Sequence, residues 1–166
     1  MFVKKKLIEF NIKRELSLLV FALYCVCIFS QTLMPLYYFD EYGFEIFFPH
    51  FGLQYNFIPF FSIIEYINVE LGNIQMGTEY LYFLRLNIWG NIFFFTPFGL
   101  LMPILWEKFE QLRTLLLFTL IVFVAKEILQ HFIGMRTDID DVILNVFGVL
   151  LGYLVFNVIY KKRKFT

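Results

Sequence analysis

Apolar residues run through this chain in stretches long enough to cross a bilayer, set apart by short polar or basic segments. A spanning helix needs about 20 mostly apolar residues. Residues 16–38 (LSLLVFALYCVCIFSQTLMPLYY), 86–106 (LNIWGNIFFFTPFGLLMPILW) and 142–160 (VILNVFGVLLGYLVFNVIY) reach that length without a formal charge. A fourth stretch, 113–133, is uninterrupted only from Thr114 to Ala125, and the helical pattern continues through Lys126, Glu127, Gln130 and His131 to a polar outer end. These stretches predict an all-α integral membrane protein, a four-helix transmembrane bundle formed by one domain covering residues 1–166.

The segment between the first two spans does not read as a solvated loop. Residues 46–64 (IFFPHFGLQYNFIPFFSII) are rich in aromatics but interrupted by Pro49, Gly52 and Pro59, and proline removes a backbone donor. Open backbone cannot face lipid tails, so an interfacial or partly re-entrant outer loop is expected rather than another crossing. From Pro59 to Ile67, the apolar Phe60, Phe61, Ile64 and Ile67 keep helical spacing with Glu65 and Asn68 opposite, which predicts a short helix flat on the outer leaflet.

Composition supports the membrane reading: 60% of residues are hydrophobic, 24 are Phe, and 17% are charged, unlike a soluble domain of this size. The zero net charge conceals an asymmetry. Lys4, Lys5, Lys6, Lys13 and Arg14 precede the first span, Lys108 and Arg113 lie between the second and third, and Lys161, Lys162, Arg163 and Lys164 follow the last. Positive residues accumulate on the cytoplasmic side, so a multi-pass plasma-membrane protein with both termini cytoplasmic is expected. The first stretch is too long for a cleavable signal peptide and lacks an evident cleavage site, so it is expected to stay as an anchor. Cys25 and Cys27 stand two apart in a predicted helix and suit neither a mutual disulfide nor a CxxC site.

Depth, counted at roughly 1.5 Å per residue, brings the unusual side chains to one level near the outer ends of three spans. The second span carries Arg85, Asn87 and Asn91; the third carries Glu127, Gln130, His131 and Gly134 as one stripe; the fourth carries Asp141, Asn145, Gly148 and Gly152 on one face. Gly148 and Gly152 form a small-xxx-small pair suited to close helix packing, and Asn91 and Asn145 can link helices by hydrogen bonds. Glu127 is costly inside a span and calls for a partner. Lys126 projects in another direction on an ideal helix, so Arg136 or Arg85 is the expected partner, each also able to hold a phosphate or carboxylate. Asp138 or Asp140 can cap the fourth helix. With Asp141 and Asn145 they also form an oxygen-rich set of the kind that holds Mg²⁺ or Ca²⁺, but Arg136 beside them weakens that idea, and no metal is assigned.

The segments QTLMP (31–35), NFIPF (56–60) and NIFFFTPFG (91–99), followed by Glu127-x-x-Gln130, Arg136-x-Asp-x-Asp-Asp141, Asn145, Gly148 and Gly152, resemble the VanZ-like family of bacterial membrane proteins. The ordered motifs cover about residues 16–157, and the family pattern falls on Asn56, Pro59, Asn91, Pro97, Gly99, Glu127, Gln130, Arg136, Asp141, Asn145, Gly148 and Gly152. The founding member of that family is associated with resistance to teicoplanin, a glycopeptide that binds the cell-wall precursor. The resemblance implies a link to glycopeptide tolerance or cell-envelope physiology, and implies no particular reaction.

The leading expectation is a non-enzymatic envelope protein. Its outer-leaflet pocket of Arg85, Asn91, Glu127, Gln130, Arg136, Asp141 and Asn145 would engage membrane lipids, a lipid-linked cell-wall precursor or another envelope protein. The alternative is an intramembrane enzyme acting on a lipid-linked substrate, with Glu127 or His131 as acid or base and Arg136 stabilising negative charge. The chain has no GxSxG nucleophile elbow and no HExxH zinc motif. A transporter is a third possibility, but four spans without an internal repeat give little material for alternating access. No cofactor and no nucleic-acid partner is expected.

Overall fold

A computed structural model describes residues 12–33, 36–40, 43–47, 55–133 and 135–161. The described chain is mainly helical: α1 (Ile12–Leu33), α2 (Phe61–Glu70), α3 (Thr78–Leu105), α4 (Leu112–Phe132) and α5 (Ile139–Phe156), the last continuing into a wider turn to Lys161. Short strands β1 (Leu36–Asp40) and β2 (Gly43–Phe47) pair antiparallel, and β3 (Tyr55–Asn56) pairs parallel with β4 (Thr137–Asp138). The basic residues expected to orient the termini at positions 4–6 and 162–164, most of the aromatic run at 48–54, and Gly134 lie outside the described residues.

Two boundaries differ from the sequence expectation by five residues or more. The first helix ends at Leu33 rather than near residue 38, and the chain resumes as β1 at Leu36; Pro35 lies at that break in the sequence and disfavours helix in the residue before it. The second long helix begins at Thr78 instead of Leu86. Helical stretches Tyr80–Leu105 and Ile139–Ile159 are long and apolar enough to cross a membrane.

α3 and α5 form the centre of the molecule. A side-chain carbon placed on Gly99 would collide with the carbonyl of Val149, one on Gly148 with the carbonyl of Ile92, and one on Gly152 with the carbonyl of Thr96. Glycine at these three places lets the two backbones touch, the mechanism expected of small residues at membrane helix contacts. Contacts that advance from Ile92 to Thr96 on α3 advance from Gly148 to Gly152 on α5, so the two helices run parallel. α4 closes one side through Phe123, whose ring meets Phe95 of α3 edge-on at 4.6 Å between centroids. Leu115, Val149, Tyr153 and Phe156 extend this core.

The outward surface is as apolar as the core. Leu16, Leu19, Leu23 and Val26 on α1, Leu117, Leu120 and Ile121 on α4, Phe93 on α3, and Leu154 and Val158 at the end of α5 are all exposed. Apolar surface this extensive marks contact with a membrane or partner rather than with water. α2 follows the expected amphipathic pattern with its sides assigned: Phe61, Ile64 and Ile67 face outward, while Ser62 and Val69 are buried.

Candidate functional site

Asp138, at the entrance to α5, is the hub of a polar network. Its side chain accepts from the N–H of Asp140 at 3.0 Å, which makes it the N-cap of α5. The same carboxylate accepts from Asn56 Nδ2 at 3.0 Å, Ser62 Oγ at 2.6 Å and Arg136 Nη2 at 3.1 Å. Asp140 reaches the other way: its oxygens accept the backbone N–H groups of Phe60 and Ser62, the latter at 2.7 Å. Those donors lie in the first turn of α2, where helical N–H groups lack intrahelical partners, so Asp140 caps α2 from across the molecule. The two buried aspartates thereby fasten the segment between α1 and α3 to α5, and β3 pairing with β4 adds a short backbone seam.

Glu127 lies beneath this hub. It is 5% exposed, and its Oε2 accepts from the N–H of Asp138 at 3.1 Å. Its Oε1 forms an ion pair with Lys126 Nζ at 2.9 Å, without the alignment of a hydrogen bond. This corrects the expectation that Arg136 or Arg85 would be its partner. The Lys126 stem runs along a second cavity, about 380 Å³, lined by Tyr24, Cys25, Phe95 and Phe123. A four-carbon stem can lie on apolar surface while its ammonium turns to an acceptor, which is how neighbouring residues on one helix come to pair.

Arg136 is committed to Asp138 at 3.1 Å. Arg85 is outside the network altogether: its side chain is 48% exposed and paired with Glu70, Nε to Oε2 at 3.0 Å. α2 folds back beside the first turns of α3, and that brings Glu70 to Arg85. The expected place of Arg85 in the pocket is therefore corrected.

The amide residues divide in a similar way. Asn91 Nδ2 donates to Asp141 Oδ1 at 2.8 Å and to Asn87 Oδ1 at 3.3 Å, linking α3 to α5. Asn145, one turn deeper than Asp141 on the same face, is 0% exposed, and neither its Oδ1 nor its Nδ2 has a hydrogen-bond partner. Gln130 is half-buried, with its backbone carbonyl accepting from Met135 N at 2.9 Å. Asp138, Asp140 and Asp141 have separate partners, and among the described residues no three His, Cys, Asp or Glu side chains are placed to hold a metal ion.

Beside the network a groove of about 300 Å³ opens between α4 and the start of α5. Its walls are apolar, with Val124, Ile128 and Phe132 from α4 facing Ile139 and Val142, and Phe57 closing one end. Glu127, Thr137 and His131 also border it. His131 is exposed, whereas Glu127 Oε1 and Thr137 Oγ1 are buried and without hydrogen-bond partners. The groove thus joins both residues expected to serve as acid or base, and leaves out Arg136. Lys126, Thr137 and Ser62 are the members that the sequence reading missed. A charged residue deep within an apolar stretch was the available signal for Lys126; Thr137 and Ser62 had none.

Helices with apolar outer faces, closely apposed through glycine, and a network of carboxylates and amides buried at one end define a helical membrane protein. The chain belongs to the VanZ/LLP1 family, whose profile matches residues 21–160. Neither curated proteins nor solved structures give a match.

Proposed function

We propose that this VanZ-type protein is a four-span, multi-pass plasma-membrane protein with cytoplasmic termini, which binds a membrane amphiphile at the outer leaflet and so contributes to glycopeptide tolerance or envelope physiology. The ligand would be a lipid or a lipid-linked cell-wall precursor. Its chain would lie in the groove between α4 and α5, with its polar end toward Glu127. The observation that carries this reading is the groove itself: apolar walls lead to a buried carboxylate, the combination that an amphiphile's two ends require. An ionisable group within an apolar helix is a functional-site candidate on energetic grounds.

The test is glycopeptide susceptibility in cells carrying the wild type, Glu127→Gln or Arg85→Ala, with membrane abundance measured in parallel. Glu127→Gln should lose protection relative to the amount of protein in the membrane, and Arg85→Ala, which alters an exposed pair, should keep it. Protection retained by Glu127→Gln relative to that amount would refute the reading.

A second reading, an intramembrane enzyme acting on a lipid-linked substrate, draws on Glu127 and His131 bordering one groove. It is the weaker one, because Arg136, its candidate for stabilising negative charge, is bound to Asp138 and does not line that groove. Turnover of labelled envelope lipids by purified protein, abolished in Glu127→Ala, would promote it.

A further inference from the structure

Two buried oxygens on residues that border the groove point to the kind of head group it takes. Resting on the groove reading above, we propose that the head group is a hydrogen-bond-donating ammonium, as in an aminolipid, rather than a phosphate or a quaternary amine.

Asp138 has Arg136 together with three further donors. Asp140 has two N–H groups at the start of α2, where the helix dipole also favours negative charge. Asp141 accepts from Asn91. What remains is Glu127, whose Oε1 lies 2.9 Å from the Lys126 ammonium without the alignment of a hydrogen bond and so keeps the capacity to accept from a further donor.

Glu127 Oε1 and Thr137 Oγ1 are two oxygens without hydrogen-bond partners, both belonging to residues that border the same groove and are more than nine-tenths buried. A carboxylate oxygen can accept a donor in addition to the Lys126 contact, and a hydroxyl oxygen is also an acceptor. A primary ammonium brings three N–H donors to such acceptors; a choline head has none. A phosphate could accept from the Thr137 hydroxyl but would meet the Glu127 carboxylate as a like charge. Ile128 and Phe132 line the same groove and are exposed.

The experiment places the full-length protein in phosphatidylcholine nanodiscs doped with phosphatidylethanolamine, phosphatidylglycerol or diacylglycerol, and identifies by native mass spectrometry the lipids retained after release. Phosphatidylethanolamine should be retained over phosphatidylcholine by on the order of tenfold, the equivalent of one charge-assisted hydrogen bond. Glu127→Gln should remove most of that preference. Thr137→Val, which deletes only a hydroxyl and keeps the Lys126 pair, should reduce it in a protein that still folds. Ile128→Trp, which adds bulk to the groove lining, should reduce retention of every lipid.

Retained lipid that responds to Ile128→Trp but shows no preference, or prefers phosphatidylglycerol or diacylglycerol, overturns the ammonium assignment and leaves the groove reading in place. No retained lipid, or retention unaffected by Ile128→Trp, overturns both.

Discussion

The Asp140 carboxylate accepts the backbone N–H of Ser62 at 2.7 Å, joining positions 78 apart in the sequence. Through this bond and its companion at Phe60, the start of one helix caps the start of another, and the segment between α1 and α3 becomes part of the site instead of an appendage. Asp140→Ala leaves the first turn of α2 without its acceptor and should cost roughly 1.5–3 kcal/mol, the range for a hydrogen bond to a charged group. Thermal unfolding in detergent would measure the loss, and faster proteolysis around residues 57–60 would locate it.

Phe60 stands beside that bond with φ 67°, a left-handed conformation that side chains resist. Glycine adopts it freely, at some cost in unfolded-chain entropy. The two effects oppose each other and are similar in size, so Phe60→Gly should change detergent stability by less than about 1 kcal/mol, in contrast to Asp140→Ala. A large loss would mean that the Phe60 side chain, not the backbone, holds this corner.

Glycines on the α3–α5 seam should differ sharply from a glycine away from it. Gly152→Ala drives a methyl into the Thr96 carbonyl and should cost roughly 1–3 kcal/mol or prevent folding. Gly90→Ala meets only the Phe94 ring at 3.6 Å, an ordinary contact, and should stabilise α3 by up to about 1 kcal/mol through helix propensity. Parallel melting curves decide the point; equal behaviour of the two variants would contradict the close parallel packing.

Lys126 and Glu127 are both buried, so either left alone is an unpaired charge. Lys126→Met and Glu127→Gln should each destabilise, with about 3–5 kcal/mol expected for Lys126→Met and less for the neutral amide. The double variant should recover much of that loss. A double-mutant cycle gives the coupling directly, and additive losses would mean that the ion pair does not form.

Asn145 predicts a gain. Its amide is sealed from solvent and has no hydrogen-bond partner, so replacing it with leucine removes a desolvation penalty of about 1–3 kcal/mol. A raised melting temperature for Asn145→Leu is the expected result. A lowered one would show that the amide is satisfied, by water or ligand, in the membrane.

The long helical segments were legible from the length of their apolar runs, two of which are long and apolar enough to cross a membrane, and Asn91 and Asp141, which meet, fall on faces set by helical geometry. Partners were less legible. Direction at Cβ argued against a Lys126–Glu127 pair, but the lysine stem is long enough to bend around the helix. Arg85 shares a helix with Asn91, yet what it meets depends on how α2 folds back, and nothing local records that Glu70 arrives beside it. The capping role foreseen for the aspartates holds for Asp138 on its own helix. That Asp140 caps α2 was hidden, because the bond joins elements that only tertiary packing brings together.

The most direct test of the account is a structure determined in lipid nanodiscs, inspected between α4 and α5. The account predicts elongated density along Ile128 and Val142 that ends within hydrogen-bonding distance of Glu127 Oε1 and Thr137 Oγ1. A groove filled by the protein's own side chains, or Glu127 turned toward acyl chains and away from the Asp138 N–H, would contradict it.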